Sequence, residues 1–195
     1  MTAGAAGGST KPPAEPVAAP ADPTRTPSRV VQHLLESAAR RSAEGRPPRV
    51  LLAGPVAQVT MESIAGAGCR LTVEGEFFPE LPLAYPDARF DLVLGLDVLD
   101  LLPDDRAREQ AAEWARVLAP GGTLYLVARR AADQVPPLVR IDVHPDGGLS
   151  VHPLGPRHPL VQPRQNREFE VLVRPLAVHE ISLRRDGLRE ILCRK

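Results

Sequence analysis
Residues 90–126 read FDLVLGLDVLDLLPDDRAREQAAEWARVLAPGGTLYL, and this stretch decides the fold class. Leu92, Val93, Leu94 and Leu96 form a nearly unbroken apolar run, as a strand buried on both faces requires. Asp97 then places a carboxylate at the strand's C-terminal edge. Asp104 and Asp105 follow a proline, and Ala107, Ala111, Trp114, Ala115 and Leu118 recur near helical spacing. Acids at the start suit the positive end of the helix dipole. Pro120, Gly121 and Gly122 stop the helix, and Leu124, Tyr125, Leu126 and Val127 supply a second buried strand. Strand, helix, glycine turn and strand make a βαβ unit of a parallel sheet.

The same residues resemble the second half of the core of class I S-adenosylmethionine-dependent methyltransferases. In that family an FDLV strand ends beside the methyl donor, and an RVLxPGG turn leads into the next strand. The matching residues are 90–93 and 116–122. The resemblance implies an α/β, Rossmann-like methyltransferase fold with a mostly parallel sheet and an antiparallel C-terminal hairpin. It also implies S-adenosylmethionine as cofactor and methyl transfer to a small-molecule or protein acceptor.

Composition narrows the classes. The 195 residues suffice for one domain and a tail, and 43% hydrophobic content allows a real core. With 24 Lys+Arg against 24 Asp+Glu, the chain lacks the basic footprint of a nucleic-acid binder. Two cysteines, Cys69 and Cys193, form no metal or redox motif and fit a reducing, cytoplasmic setting. No apolar run is long enough to span a bilayer, and no secretory signal is expected.

Residues 1–27 are rich in Ala, Gly and Pro. Such a segment cannot bury enough surface to offset ordering entropy, so disorder is expected there. A domain over 28–195 follows. Ser28 caps a helix whose face holds Val30, Val31, Leu34, Leu35, Ala38 and Ala39. Residues 50–53 read as a strand, 58–65 as a helix, and Leu71 and Val73 as a second strand. Glu74 and Phe90 stand only sixteen positions apart. A parallel crossover alone needs about a dozen residues, so one βα unit is shortened or lost. Whether Glu74 ends the second or the third strand of the family pattern stays open at this point. Further on, PDGG between residues 140–143 and 149–152 predicts an inserted hairpin over 140–152. Asn166 is expected to cap a short helix, and residues 178–183 and 188–193 flank an Asp-Gly turn.

The donor loop departs from the family pattern of an acid followed by G-x-G-x-G. The acidic position is Leu52, the first glycine is Gly54, and Val56 and Gln58 replace the other two. Glycines there let the backbone approach a cofactor. Gly54, Glu74 and Asp97 are the cofactor-binding candidates. The resemblance assigns Glu74 to the ribose hydroxyls, with Glu76 as the substitute if this is the third strand. Asp100 is a second acid on the strand edge where open α/β sheets hold ligands. No catalytic residue is assigned. His144, His152 and His158 each precede or neighbour proline and read as turn and linker residues, with no metal site expected. Arg184, Arg185, Arg189 and Arg194 read as a solvated sheet edge.

Two functions of different class follow. One is a methyltransferase with weakened donor binding. The other is a catalytically inactive pseudo-methyltransferase that serves as a binding or scaffold module. A nicotinamide dehydrogenase is disfavoured because the dinucleotide fingerprint does not follow the first strand.

Overall fold
In a computed structural model, residues 25–75, 80–129, 137–157 and 164–195 are described. The elements in chain order are β1 (Thr26–Pro27), α1 (Arg29–Ala43), β2 (Arg49–Ala53), α2 (Gln58–Gly66), β3 (Arg70–Glu74) and β4 (Phe90–Leu96). A 3-10 turn at Leu99–Leu101 precedes α3 (Asp104–Val117) and β5 (Leu118–Arg129). Then come β6 (Pro137–Val143), β7 (Gly148–Arg157), α4 (Asn166–Leu172), β8 (Ala177–Leu183) and β9 (Leu188–Arg194). Most of the expected tail, residues 1–24, lies outside the described residues. Its end does not, because Thr26 and Pro27 pair with Leu149 and Gly148.

The main sheet has the order β3-β2-β4-β5-β9-β8. Its first four strands run parallel, and β9 pairs antiparallel with both β5 and β8. This is the expected α/β architecture with a closing antiparallel hairpin. β3 pairs directly with β2, so Glu74 ends the strand next to β2. Among the described residues no strand lies beyond β3, and no third βα unit is found there. Its place in the chain is taken by a proline-rich connection, which Arg116 fastens. The Arg116 guanidinium donates to the carbonyls of Leu83 at 3.0 Å and Tyr85 at 2.8 Å, and to Asp87 and Glu113.

Strand alternation sorts the core into two layers. Leu92, Leu94 and Leu96 face α1, α2 and the β6–β7 hairpin. Val93 faces α3 and α4, where Trp114, Leu118, Phe169 and Leu172 pack. Gly95 is required on that side, since a Cβ would stand 2.8 Å from Trp114. The inserted hairpin is longer than its turn signal indicated and is stitched to α2. Val143 N–H donates to Thr60 Oγ1 at 2.9 Å, and Ser63 Oγ donates to the Val143 carbonyl at 2.9 Å.

Three sequence expectations change. The Pro120–Gly122 segment is a bulge rather than a plain turn: Leu118 pairs with Phe90, then Thr123 with Leu92. Asn166 is the first helical residue of α4, with Gln165 before it as N-cap. The Asn166 side chain instead accepts a hydrogen bond from Arg189 at 3.0 Å. Arg184 and Arg189 are buried, not solvated. Arg189 lies on β9, between β5 and β8, and Arg184 sits in the turn before β9, where it meets Asp186 and Glu190.

Candidate functional site
The parallel strands β2, β3 and β4 end side by side, so Gly54, Glu74 and Asp97 emerge at one sheet edge. Open α/β sheets form ligand crevices outside these ends. The Gly54 N–H donates to the Glu74 carbonyl at 3.0 Å and locks the two strand ends together. Gly54 has φ +108°, and a Cβ there would stand 3.1 Å from the Leu96 carbonyl and 3.2 Å from Val98 Cγ2. Glycine is therefore needed for both conformation and space. Glu74 is half-buried, and its Oε2 accepts a hydrogen bond from the Tyr85 hydroxyl at 3.2 Å. Glu76 lies outside the described residues.

Asp97 is different. It adopts φ +57°, and its carboxylate is sealed beneath the edge. Arg129 Nε donates to its two oxygens at 2.8 and 3.0 Å, and Nη2 donates as well. Burial nevertheless raises the Asp97 carboxyl to about 6, with the Arg129 hydrogen bonds opposing that rise. Asp100 is also buried. Its Oδ2 accepts the Arg129 N–H at 2.8 Å, and desolvation again raises its pKa. Both acids thus clamp the end of β4 to the end of β5.

The replaced donor-loop positions have other work. Leu52 is fully buried, Val56 packs against the same core layer, and the Gln58 amide bonds Glu62 at 2.6 Å. No side chain caps α2, and no acid lies in its first turn.

Sequence reading did not assign Tyr85, Arg129, Arg164 or Arg189 to this edge. Arg164 reaches the carbonyls of Leu99 and Leu102 and the carboxylate of Asp104. Arg129 carried a signal, being a cation that closes an otherwise apolar strand on the same edge as Asp97. His144 and His152 do converge across the hairpin, but on Ser150 Oγ, at 2.8 and 3.0 Å. His158 lies outside the described residues. Among the described residues, no group of three or more His, Cys, Asp or Glu is placed to hold a metal ion. No described helix is long and apolar enough to cross a membrane.

The family model for methyltransferase domains matches residues 58–126, from α2 into β5. The chain has the class I methyltransferase fold. A solved methyltransferase fold from Burkholderia thailandensis aligns with a TM-score of 0.51 at 18% identity, covering 84% of this chain and 79% of that one. It is a 1,6-didemethyltoxoflavin N1-methyltransferase with 1,6-didemethyltoxoflavin and S-adenosylhomocysteine bound. An S-adenosylmethionine-dependent methyltransferase from Mesorhizobium loti aligns at 13% identity and a TM-score of 0.43, covering 83% and 100%. At such identities the first likeness carries the fold alone, and the second carries no argument. No curated protein matches the chain in sequence.

Proposed function
We propose that this chain binds S-adenosylmethionine at the ends of β2, β3 and β4 and transfers its methyl group to a small-molecule acceptor. The observation that carries this reading is Gly54. Its left-handed backbone is pressed against the end of β4 with little room for a Cβ, and Glu74 stands on the adjacent strand. The residues present fit the cofactor in part. Gly54 lets the backbone approach it, Glu74 accepts from neighbouring ribose hydroxyls, and the uncapped amides of α2 suit an anionic group. Asp97 contributes shape rather than direct contact, because Arg129 occupies its carboxylate. When bound, the cofactor supplies a methyl carbon that its sulfonium has already made electrophilic. The chain's own task is then alignment and exclusion of water, which needs no fixed catalytic constellation. The small molecule bound in the Burkholderia enzyme supports the same class of acceptor here.

A binding or scaffold module without turnover is the second reading. It is favoured by Leu52, where the family places an acid and this chain places a fully buried core side chain. Calorimetric titration with S-adenosylmethionine and S-adenosylhomocysteine separates the two. The first reading expects heat from the wild type, lost in Gly54→Val and in Glu74→Ala. A folded wild type that gives no heat at millimolar ligand belongs to the second.

A further inference from the structure
Among the described residues β3 is the outermost strand of the sheet, and its phase is fixed. Arg70 N–H donates to the Pro48 carbonyl at 2.8 Å, and the Glu74 carbonyl accepts from Gly54 at 3.0 Å. Arg70, Thr72 and Glu74 therefore turn their backbone groups inward to β2. By strand alternation the N–H and C=O of Leu71 and Val73 point away from the sheet. Among the described residues, nothing pairs with them.

Chains usually protect such an edge. The opposite edge of this sheet, β8, has an irregular register between Val178 and Glu180. In contrast, β3 pairs with β2 over five consecutive residues without a shift. It contains no proline or lysine, and Val73 is 41% exposed.

We propose that the outer edge of β3 is a dimerisation surface, on which a second copy of this chain lays its own β3 antiparallel about a two-fold axis through Thr72. The sequence RLTVE is self-complementary in that register. Arg70 stands opposite Glu74 of the other copy on one face, and Leu71 stands opposite Val73 on the other. Leu71 and Val73 form a hydrogen-bonded pair, so their outward groups make four inter-strand hydrogen bonds across the axis. An axis through Leu71 would set Arg70 opposite Thr72, and an axis through Val73 would set Thr72 opposite Glu74. Only the Thr72 axis matches opposite charges at both ends.

Sedimentation equilibrium of the full chain tests this. The wild type is expected to dimerise reversibly. Val73→Pro removes an outward N–H that β2 does not use, so it should be monomeric while keeping its far-ultraviolet dichroism. Arg70→Glu and Glu74→Arg should each be monomeric alone, through like charges at both ends. Mixed in equal amounts, they should restore a dimer containing one of each. A wild type that stays monomeric at hundreds of micromolar would leave the edge to some other chain and overturn the proposal. So would a dimer that survives Val73→Pro, or a mixture that fails to associate. These readouts need no cofactor, so they stand apart from the methyl-transfer reading.

Discussion

Arg129 Nε donates to both carboxylate oxygens of Asp97, at 2.8 and 3.0 Å, and ties the end of β4 to the end of β5. The two strands are already neighbours, with Leu96 paired to Val127. The ion pair extends that pairing past the last ladder residue, where β4 must leave the sheet. Asp97 makes the turn with its left-handed backbone. The loop that borders the proposed donor site is thus held from below by a buried charge pair.

Arg129→Met should destabilise the protein strongly. It strands a carboxylate whose side chain is fully buried, and losing one partner of such a pair costs about 3–5 kcal/mol. Urea unfolding should show this loss. Adding Asp97→Asn to Arg129→Met should recover part of it, because the stranded charge is gone. If Arg129→Met unfolds at the wild-type midpoint, the pair does not hold the edge.

Asp97 also predicts a pH effect of unusual sign for a carboxylate. Its folded pKa is raised from 3.8 to about 6 by burial. Between those values the folded protein holds a proton that the unfolded chain has released. This group therefore makes stability fall as pH rises from about 4 to 6, with no further change above that. Other carboxylates titrate in the same window, so the measurement is the difference between wild type and Asp97→Asn. The wild type should lose stability relative to the variant on going from pH 4.5 to pH 7. A constant difference would mean that Asp97 keeps an ordinary pKa.

Leu94→Asp and Asp104→Asn test the strand and helix that organised the sequence. Leu94 is 3% exposed, between β2 and β5. A charge there should unfold the domain, since an unpaired buried charge costs several kcal/mol. Asp104 opens α3 in a half-exposed position, where it meets Arg164 at 2.9 Å. Replacing it with Asn should cost about 1 kcal/mol. Thermal melts of the two variants should separate clearly.

The parts of the fold that depend on local pattern were legible in the chain. The run of Leu92, Val93 and Leu94 could be read as a two-faced strand because neither face tolerates polarity. The fifteen residues between Glu74 and Phe90 are too few for a further helix and strand besides the connection to β4, and β3 is the outer strand among the described residues. What could not be read was which polar residues would find partners. Arg184 and Arg189 stand in a charged run, RRDGLRE over residues 184–190, that reads as a solvated hairpin. Only the fold shows that they are covered, Arg184 by Asp186 and Glu190 and Arg189 by Asn166 and the Arg129 carbonyl. The same holds at the candidate site. Asp97 and Arg129 are 32 residues apart, and only the parallel pairing of β4 with β5 brings them together. Tyr85 sits in a proline-rich connection whose path no periodicity describes.

Tyr85 supports the last prediction. Its hydroxyl reaches Glu74 Oε2 at 3.2 Å, and its ring packs edge-on against Phe90 with centroids 5.1 Å apart. Phe90 anchors the start of β4, so Tyr85 ties the Glu74 carboxylate to the core of the sheet. In the proposed site Glu74 carries the ribose contact, and Tyr85 orients it without touching the cofactor. Glu74→Ala removes the acceptor and should abolish the binding heat. Tyr85→Phe keeps the ring and loses one hydrogen bond, worth about 1 kcal/mol when it only orients a partner. Binding should then weaken by about fivefold, since about 1.4 kcal/mol is a factor of ten. Tyr85→Ala also removes the packing on Phe90 and should lower the thermal midpoint, which Tyr85→Phe should leave near the wild type. Calorimetry with S-adenosylhomocysteine on the three variants distinguishes these roles. If Tyr85→Phe abolishes binding as completely as Glu74→Ala, the hydroxyl touches the cofactor itself, and the ribose contact must be shared between the two residues.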